Sequence, residues 1–258
     1  MHSLKPSIAD LRRTCHPDSV LGRASGEHWA GRLYMRNLSL YLTRALLPTP
    51  ITPNGVTWLM IGSGLLAAGF LGLPYLWAAV LAFVLIQLQL LFDCSDGEIA
   101  RWRGTSSPAG VYLDRIGHFS TDAALVAALG VRADGGYSSI GGWTTLGLAT
   151  ALLVLMIKSE TELVHVARAH AGRALLADDE TVMRKRGLRN LRQLVNYVPF
   201  HRLLLAIELS LLAVAAAVAD AVLGSLTGTR ILLVVLVPIA VIVVIGHLVS
   251  VLTSRRLR

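Results

Sequence analysis

The chemistry in this chain concentrates in one stretch, residues 93–118, "DCSDGEIARWRGTSSPAGVYLDRIGH". On a helix, Asp93 and Asp96 lie three apart, and Gly97, Ala100 and Arg101 continue their face. Asp114, His118 and Asp122 recur at intervals of four and share a face of the next helix. If the two helices meet across a short turn, these side chains converge into one oxygen-rich pocket. Hard oxygen ligands of that kind suit Mg²⁺, Mn²⁺ or Ca²⁺ rather than zinc. Two ions held by shared carboxylates would offset the acids' charge and clamp a phosphate. Gly97 and Ala100 remove bulk where a ligand could approach the backbone, and Arg101 offers a planar fork for phosphate. Two other readings use the same acids: salt bridges that only hold helices together, and the ion route of a divalent-cation transporter.

The elements that must carry these residues are membrane spans. Of the 258 residues 54% are apolar and only 16% charged, a balance that excludes an ordinary soluble domain. Apolar runs of about 20 residues, enough to cross a bilayer, fall near 55–73, 75–92, 108–131, 143–166, 203–223 and 230–253. The expected fold is therefore all-α: a polytopic membrane bundle of six transmembrane helices, with five as the alternative because the third run carries Asp114, Arg115, His118 and Asp122. Basic residues crowd the segment before span one, the 93–107 connection, residues 168–202 and the C-terminus, whereas the opposite loops hold Arg132 and Arg230. The positive-inside rule then puts both termini and the "DCSDGEIAR" turn in the cytoplasm, in the inner membrane. A net charge of +8 fits anionic headgroups. It does not point to nucleic acid, because the basic residues border spans. No cleavable signal sequence is expected, so the first span is the insertion signal. Cys15 and Cys94 both fall on the cytoplasmic side, where a disulfide is not expected.

Two domains follow: residues 1–50, a cytoplasmic N-terminal segment, and residues 51–258, the transmembrane domain. Residues 1–25 read as irregular, broken by Pro6 and Pro17. From about 27 to 47, Trp29, Leu33, Leu40, Leu42 and Leu46 alternate with Arg32, Arg36 and Arg44, the pattern of an interfacial amphipathic helix on membrane lipids. In "PTPITPNGVT", Thr52 is positioned to cap span one and Pro53 to occupy its first turn. "RADGGYSSIGG" (132–142) reads as a short external loop. Residues 168–200 read as a solvated loop or, more sharply, an anion-binding one.

The spacing Asp93-x2-Asp96-Gly97-x2-Ala100-Arg101-x8-Gly110-x3-Asp114-x3-His118 resembles the signature of the CDP-alcohol phosphotransferases, and departs from it only at the last position, where the family has an acid. "TPNGVT" is similar to that family's Pro-Asn-x-x-Thr turn. The resemblance covers roughly residues 45–253, most strongly 50–120. It implies transfer of a phosphoalcohol from a CDP-alcohol donor to an acceptor hydroxyl with release of CMP, in phospholipid or related polar-lipid synthesis. It also implies that Asp93, Asp96 and Asp114 hold two divalent ions, Mg²⁺ or Mn²⁺, and that Gly97, Ala100, Arg101 and Gly110 shape the CDP site. Asn54 and Thr57 would lie near the nucleotide, and the protein would be a homodimer.

His118 stands where the family's fourth acid would deprotonate the acceptor. Imidazole can serve as that base, its ordinary pKa being near 6.5; alternatively Asp122, one turn on, reaches back to replace the acid, or the member is catalytically repurposed. For the acceptor, Arg115, Lys158, Arg168, Arg173 and the Arg184–Arg192 cluster would favour an anionic or phosphorylated alcohol. Lys158, Glu160, Glu162 and His165 read either as polyol contacts or as a solvated helix end. Glu208, Asp220 and His247 read as interhelical hydrogen-bonding groups.

Overall fold

The computed structural model describes residues 6–17, 29–174 and 200–253, and every regular element among them is helical. In chain order these are α1 (Ile8–Cys15), a π-helical turn Gly31–Met35 running into α2 (Arg36–Leu46), α3 (Pro53–Leu71), α4 (Leu76–Arg103), α5 (Pro108–Asp134), α6 (Gly142–His170), a 3₁₀ turn Phe200–Leu204, α7 (Ala206–Leu223) and α8 (Thr227–Thr253). Among the described residues, α3, α4, α6, α7 and α8 are long and apolar enough to cross a membrane. Helix α5, at 27 residues, spans about 40 Å at 1.5 Å per residue. It has the length but not the apolarity, for the reason its sequence gave: Asp114, Arg115, His118 and Asp122 interrupt it. On α8, Leu233, Leu236, Ala240 and Val244 turn inward while Ile242, Ile245 and Val249 stay exposed. An all-apolar circumference of that kind suits lipid on one side and protein on the other.

Several boundaries follow from local chemistry. Thr52 Oγ1 accepts from the Gly55 N–H at 3.1 Å, so the expected cap opens α3 with Pro53 in its first turn. Ser107 Oγ accepts from Gly110 N–H at 3.2 Å and starts α5 in the same way, ahead of Pro108. The "DCSDGEIAR" stretch is not a turn. Helix α4 continues through it to Arg103 and ends at Gly104, whose φ of +66° and the bond from Thr105 N–H to Ala100 O, 2.9 Å, form a left-handed terminus that glycine adopts without a Cβ penalty. Helix α5 likewise runs to Asp134, leaving only 135–141 as loop.

The chain divides into two compact units, Met1–Leu66 with Val84–Ser120 and Ala67–Phe83 with Thr121–Arg258. In the first, residues expected to be irregular form α1. Ser7 caps it through Asp10 N–H, and Leu11 and Cys15, one turn apart, are buried with Leu40, Leu47, Val56, Ile99 and Trp102. In the second, α8 packs on α6 and α7. There α5 and α6 meet backbone to backbone: a Cβ on Gly130 would stand 2.6 Å from Trp143 O and 2.9 Å from Gly147 Cα. Asp134 closes that hairpin, Oδ2 accepting from the N–H groups of Gly141 and Thr144 and from the Thr144 hydroxyl, each at 2.7 Å. Arg132, 1% exposed, donates to Leu73 O, Tyr75 O and Thr229 Oγ1. Asp220 accepts from Thr229 N–H at 3.0 Å, the interhelical role expected of it.

Candidate active site

In the first unit, the end of α4, the start of α5 and the start of α3 bring the predicted residues together. Asp93 leaves α4 on the side facing α5. His118 Nε2 lies 3.1 Å from Asp93 Oδ1 and 3.5 Å from Asp114 Oδ1. Asp93, Asp114 and His118 each offer a ligand atom within 4.8 Å of the others. Their side chains keep 25%, 40% and 39% of their surface, so a ligand can reach them. The two carboxylates suit a divalent cation, which would neutralise them. Asp96, on the same helix as Asp93, accepts from the Thr57 hydroxyl at 2.6 Å, which fixes its rotamer and links α4 to the capped start of α3.

Around the acids lie the small residues and the cation. A Cβ on Gly97 would stand 3.0 Å from Arg101 Nη1, so the guanidinium lies over the glycine in the space a larger residue would take. A Cβ on Gly110 would stand 3.2 Å from Asn54 Oδ1, placing Asn54 at the first turn of α5. Ala100, one turn before Gly104, accepts the terminating hydrogen bond of α4. Gly117 was not singled out by its sequence. A Cβ there would stand 2.8 Å from Ile61 Cγ1 and closer still to Met60, so its absence lets α5 close on α3 next to His118.

Asp122 takes a different place. It is buried in the second unit, where Oδ1 accepts from Ala206 N–H at 2.8 Å and Oδ2 pairs with Lys158 Nζ at 2.7 Å. Lys158 is thus an ion-pair partner rather than a solvated helix end. Glu160 pairs with His247 Nδ1 at 2.8 Å, so His247 plays the interhelical part expected of it. The Arg184–Arg192 cluster lies outside the described residues.

The most consequential residue that sequence reading passed over is Glu98, a variable position inside the signature. It is fully buried and accepts from Ser39 Oγ at 2.5 Å and Thr43 Oγ1 at 2.7 Å, with His16 Nε2 at 2.8 Å. Cys15 Sγ donates to Glu98 O at 3.4 Å. Burial, with the Glu98 charge adding to it, pushes the Cys15 thiol up to about 11, and both cysteines are free. Arg103, one turn past Glu98, donates to the carbonyls of Leu47 and Thr49 at 3.1 Å and to that of Ile51 at 2.5 Å. Only the Ser-x-x-Asp start of α1 could have signalled that this N-terminal segment was ordered.

The sequence profile of the CDP-alcohol phosphatidyltransferase family matches residues 50–252. Over 122 residues the chain is 36% identical to a "Bifunctional IPC transferase and DIPP synthase" from Rubrobacter xylanophilus, in an alignment covering 45% of this chain and 26% of that protein. The chain thus spans only about a quarter of the curated relative it matches. Because the profile takes in most of the chain, including every residue of the assembled site, this protein belongs to the CDP-alcohol phosphatidyltransferase family.

Proposed function

We propose that the protein is an integral-membrane transferase that moves a phosphoalcohol from a CDP-alcohol to an acceptor hydroxyl and releases CMP. The observation that carries this reading is the convergence, within one unit, of Asp93, Asp114 and His118 beside Arg101 over Gly97 and Asn54 beside Gly110. An ion route needs the acids but has no use for an arginine fork over a glycine. Family membership supports the donor class, and the partial match to a protein named as a transferase and synthase supports the direction of the chemistry.

In this reading Arg101 grips the donor diphosphate, while Asn54 and Thr57 orient the nucleotide. Thr57 also holds the Asp96 carboxylate in place. Mg²⁺ or Mn²⁺, two ions by analogy with the family, would be held by Asp93, Asp96 and Asp114 and would supply neutralising charge for the diphosphate. His118 is the base. Its Nε2 is fixed against Asp93 and Asp114, which leaves Nδ1 to take the acceptor's proton. The acceptor oxygen forms a bond to the phosphorus bearing the alcohol, and the bond from that phosphorus to the bridging oxygen breaks, so CMP departs with that oxygen. The basic segments support a site facing the cytoplasm in the inner membrane, an interfacial N-terminal helix on membrane lipids, and a homodimer by family resemblance.

The test is metal-dependent CMP release from a panel of CDP-alcohols, each offered lipid, polyol and phosphorylated-polyol acceptors. Release that requires donor, acceptor and divalent metal together is the expected result. Metal transport without CMP release from any donor would sink the reading.

A further inference from the structure

On α4 the signature residues face one way and Glu98 faces the other. At about 100° per residue, Asp93, Asp96, Gly97, Ala100 and Arg101 share one side, while Glu98 and Trp102 fall on the far side. A fully buried carboxylate is costly there unless donors satisfy it. Among the described residues, its side-chain partners are Ser39, Thr43 and His16, all of them upstream of the matched region, which begins at residue 50. Cys15 bonds the carbonyl of the same residue, and Arg103 holds the Leu47, Thr49 and Ile51 carbonyls that lead into Asn54. A segment serving only as a membrane anchor needs exposed apolar side chains, and Trp29, Leu33, Leu38 and Tyr41 already provide them. It has no need of a buried polar network that ends inside the signature.

The geometry points to Glu98 as a positioning residue: by tying the back of α4 to residues 15–51, it sets the rotation that turns Asp93, Asp96 and Arg101 into the site. The N-terminal segment is then a working part of the active site, although none of its residues touches substrate. The carboxylate acts through hydrogen bonds, so an amide, which keeps an acceptor oxygen for Ser39 and His16 and offers N–H to the Thr43 oxygen, should largely replace it.

The test uses the full chain in nanodiscs, as wild type, Glu98→Ala, Glu98→Gln, Ser39→Ala/Thr43→Ala and, as a control, Leu129→Ala. Leu129 is a fully buried side chain of the second unit and takes no part in the network. Two readouts are taken: kcat and donor KM for CMP release, and amide exchange of residues 8–16 and 36–46. The kinetic readout rests on the transferase reading; the exchange readout does not. Glu98→Ala should lower kcat about 10–100-fold, the cost of a misplacement on the order of 1 Å, and change donor KM less. It should also speed exchange in both segments about 10-fold or more. Glu98→Gln should recover most of both effects, and Leu129→Ala, at a matched loss in Tm, should keep kcat within about 3-fold. If Glu98→Ala does not fold, the serine–threonine double variant carries the same expectation at about 10-fold. Wild-type kcat or wild-type exchange in the alanine variants would overturn the proposal. So would a Glu98→Gln as impaired as Glu98→Ala, or an equal kcat loss in Leu129→Ala. Should the wild type release no CMP from any donor, the transferase reading fails, and the exchange contrast still decides the role of Glu98.

Discussion

Replacing His118 by alanine separates a base from every other role this residue could have. A positioned base contributes about 10²–10⁴-fold, and His118 is well positioned, its Nε2 lying 3.1 and 3.5 Å from two carboxylates on different helices. Orientation of that quality places the expected loss near the middle of the range, about 10³-fold in kcat, or about 4 kcal/mol. The acids proposed to hold the metal stay in place, so Mn²⁺ affinity, read from the free-ion signal in electron paramagnetic resonance, should not weaken by more than about 5-fold. The same change removes an imidazole from between Asp93 and Asp114, and at an effective dielectric of about 20 their mutual repulsion reaches a few kcal/mol. That strain tightens cation binding rather than weakening it, so affinity should move, if at all, toward tighter. The assay is single-turnover CMP release at saturating metal across pH, alongside the Mn²⁺ titration. His118→Asp, which restores an acid at the family position, should recover activity to within about 10-fold of wild type. Alanine within about 3-fold of wild-type kcat would refute the base assignment. A kcat loss accompanied by a 10-fold or greater loss of Mn²⁺ affinity would refute it too, by making His118 a metal ligand.

Gly97→Ala places a methyl 3.0 Å from Arg101 Nη1. The flexible guanidinium can yield, so Tm should hold, while donor KM rises about 5–10-fold as the phosphate fork is displaced; an unchanged KM, measured in the CMP assay, would place Arg101 elsewhere in the working enzyme. Asp122→Asn removes the charge that Lys158 faces at 2.7 Å and should destabilise the fold by about 3 kcal/mol, read by thermal unfolding in detergent, with kcat of the folded fraction within about 3-fold of wild type; a large kcat loss at unchanged Tm would instead give Asp122 the catalytic part. Because the Cys15 thiol is held up near 11, its thiolate fraction at pH 8 is roughly 200-fold below that of an ordinary cysteine. Maleimide labelling of Cys15 should therefore be slow until the protein is denatured or the pH approaches 11, which mass spectrometry of the labelled peptide can follow.

What the sequence revealed and what it hid divide along the reach of the interactions. The spans, the Thr52 cap, the i, i+3 and i, i+4 faces of α4 and α5, and the Asp93–Asp114–His118 meeting were legible because each depends on local periodicity or on two helices joined by a four-residue turn. The end of α4 was misplaced because the polarity of "DCSDGEIAR" looked like a loop, although nothing before Gly104 breaks the helix. Helix α1 was missed because two prolines stood out more than the Leu11–Cys15 spacing and the Ser7 cap. Glu98, Asp122, Lys158 and Glu160 were misjudged or passed over because their partners lie far along the chain, at separations that carry no periodic signal. Gly117 and Gly130 were invisible for the same reason, since a glycine needed for close approach reads like any other until its neighbour is known.

The hairpin of α5 and α6 bears on how this protein enters its membrane. Alone, α5 is a poor candidate for insertion: Asp114, Arg115 and Asp122 would each cost about 3 kcal/mol at the bilayer centre. Helix α6 is apolar enough to cross, joins α5 at a glycine-to-glycine contact, and brings Lys158 to within 2.7 Å of Asp122. Asp134 folds back over the first turn of α6, so the pair can close while only these two helices have been made. One of those three charges, Asp122, is then already paired with Lys158 when α5 arrives. The polar helix that carries half the candidate site would then enter the bilayer as the passenger of its neighbour, and any change that parts Gly130 from Gly147 should be felt first as failed biogenesis and only afterwards as lost chemistry.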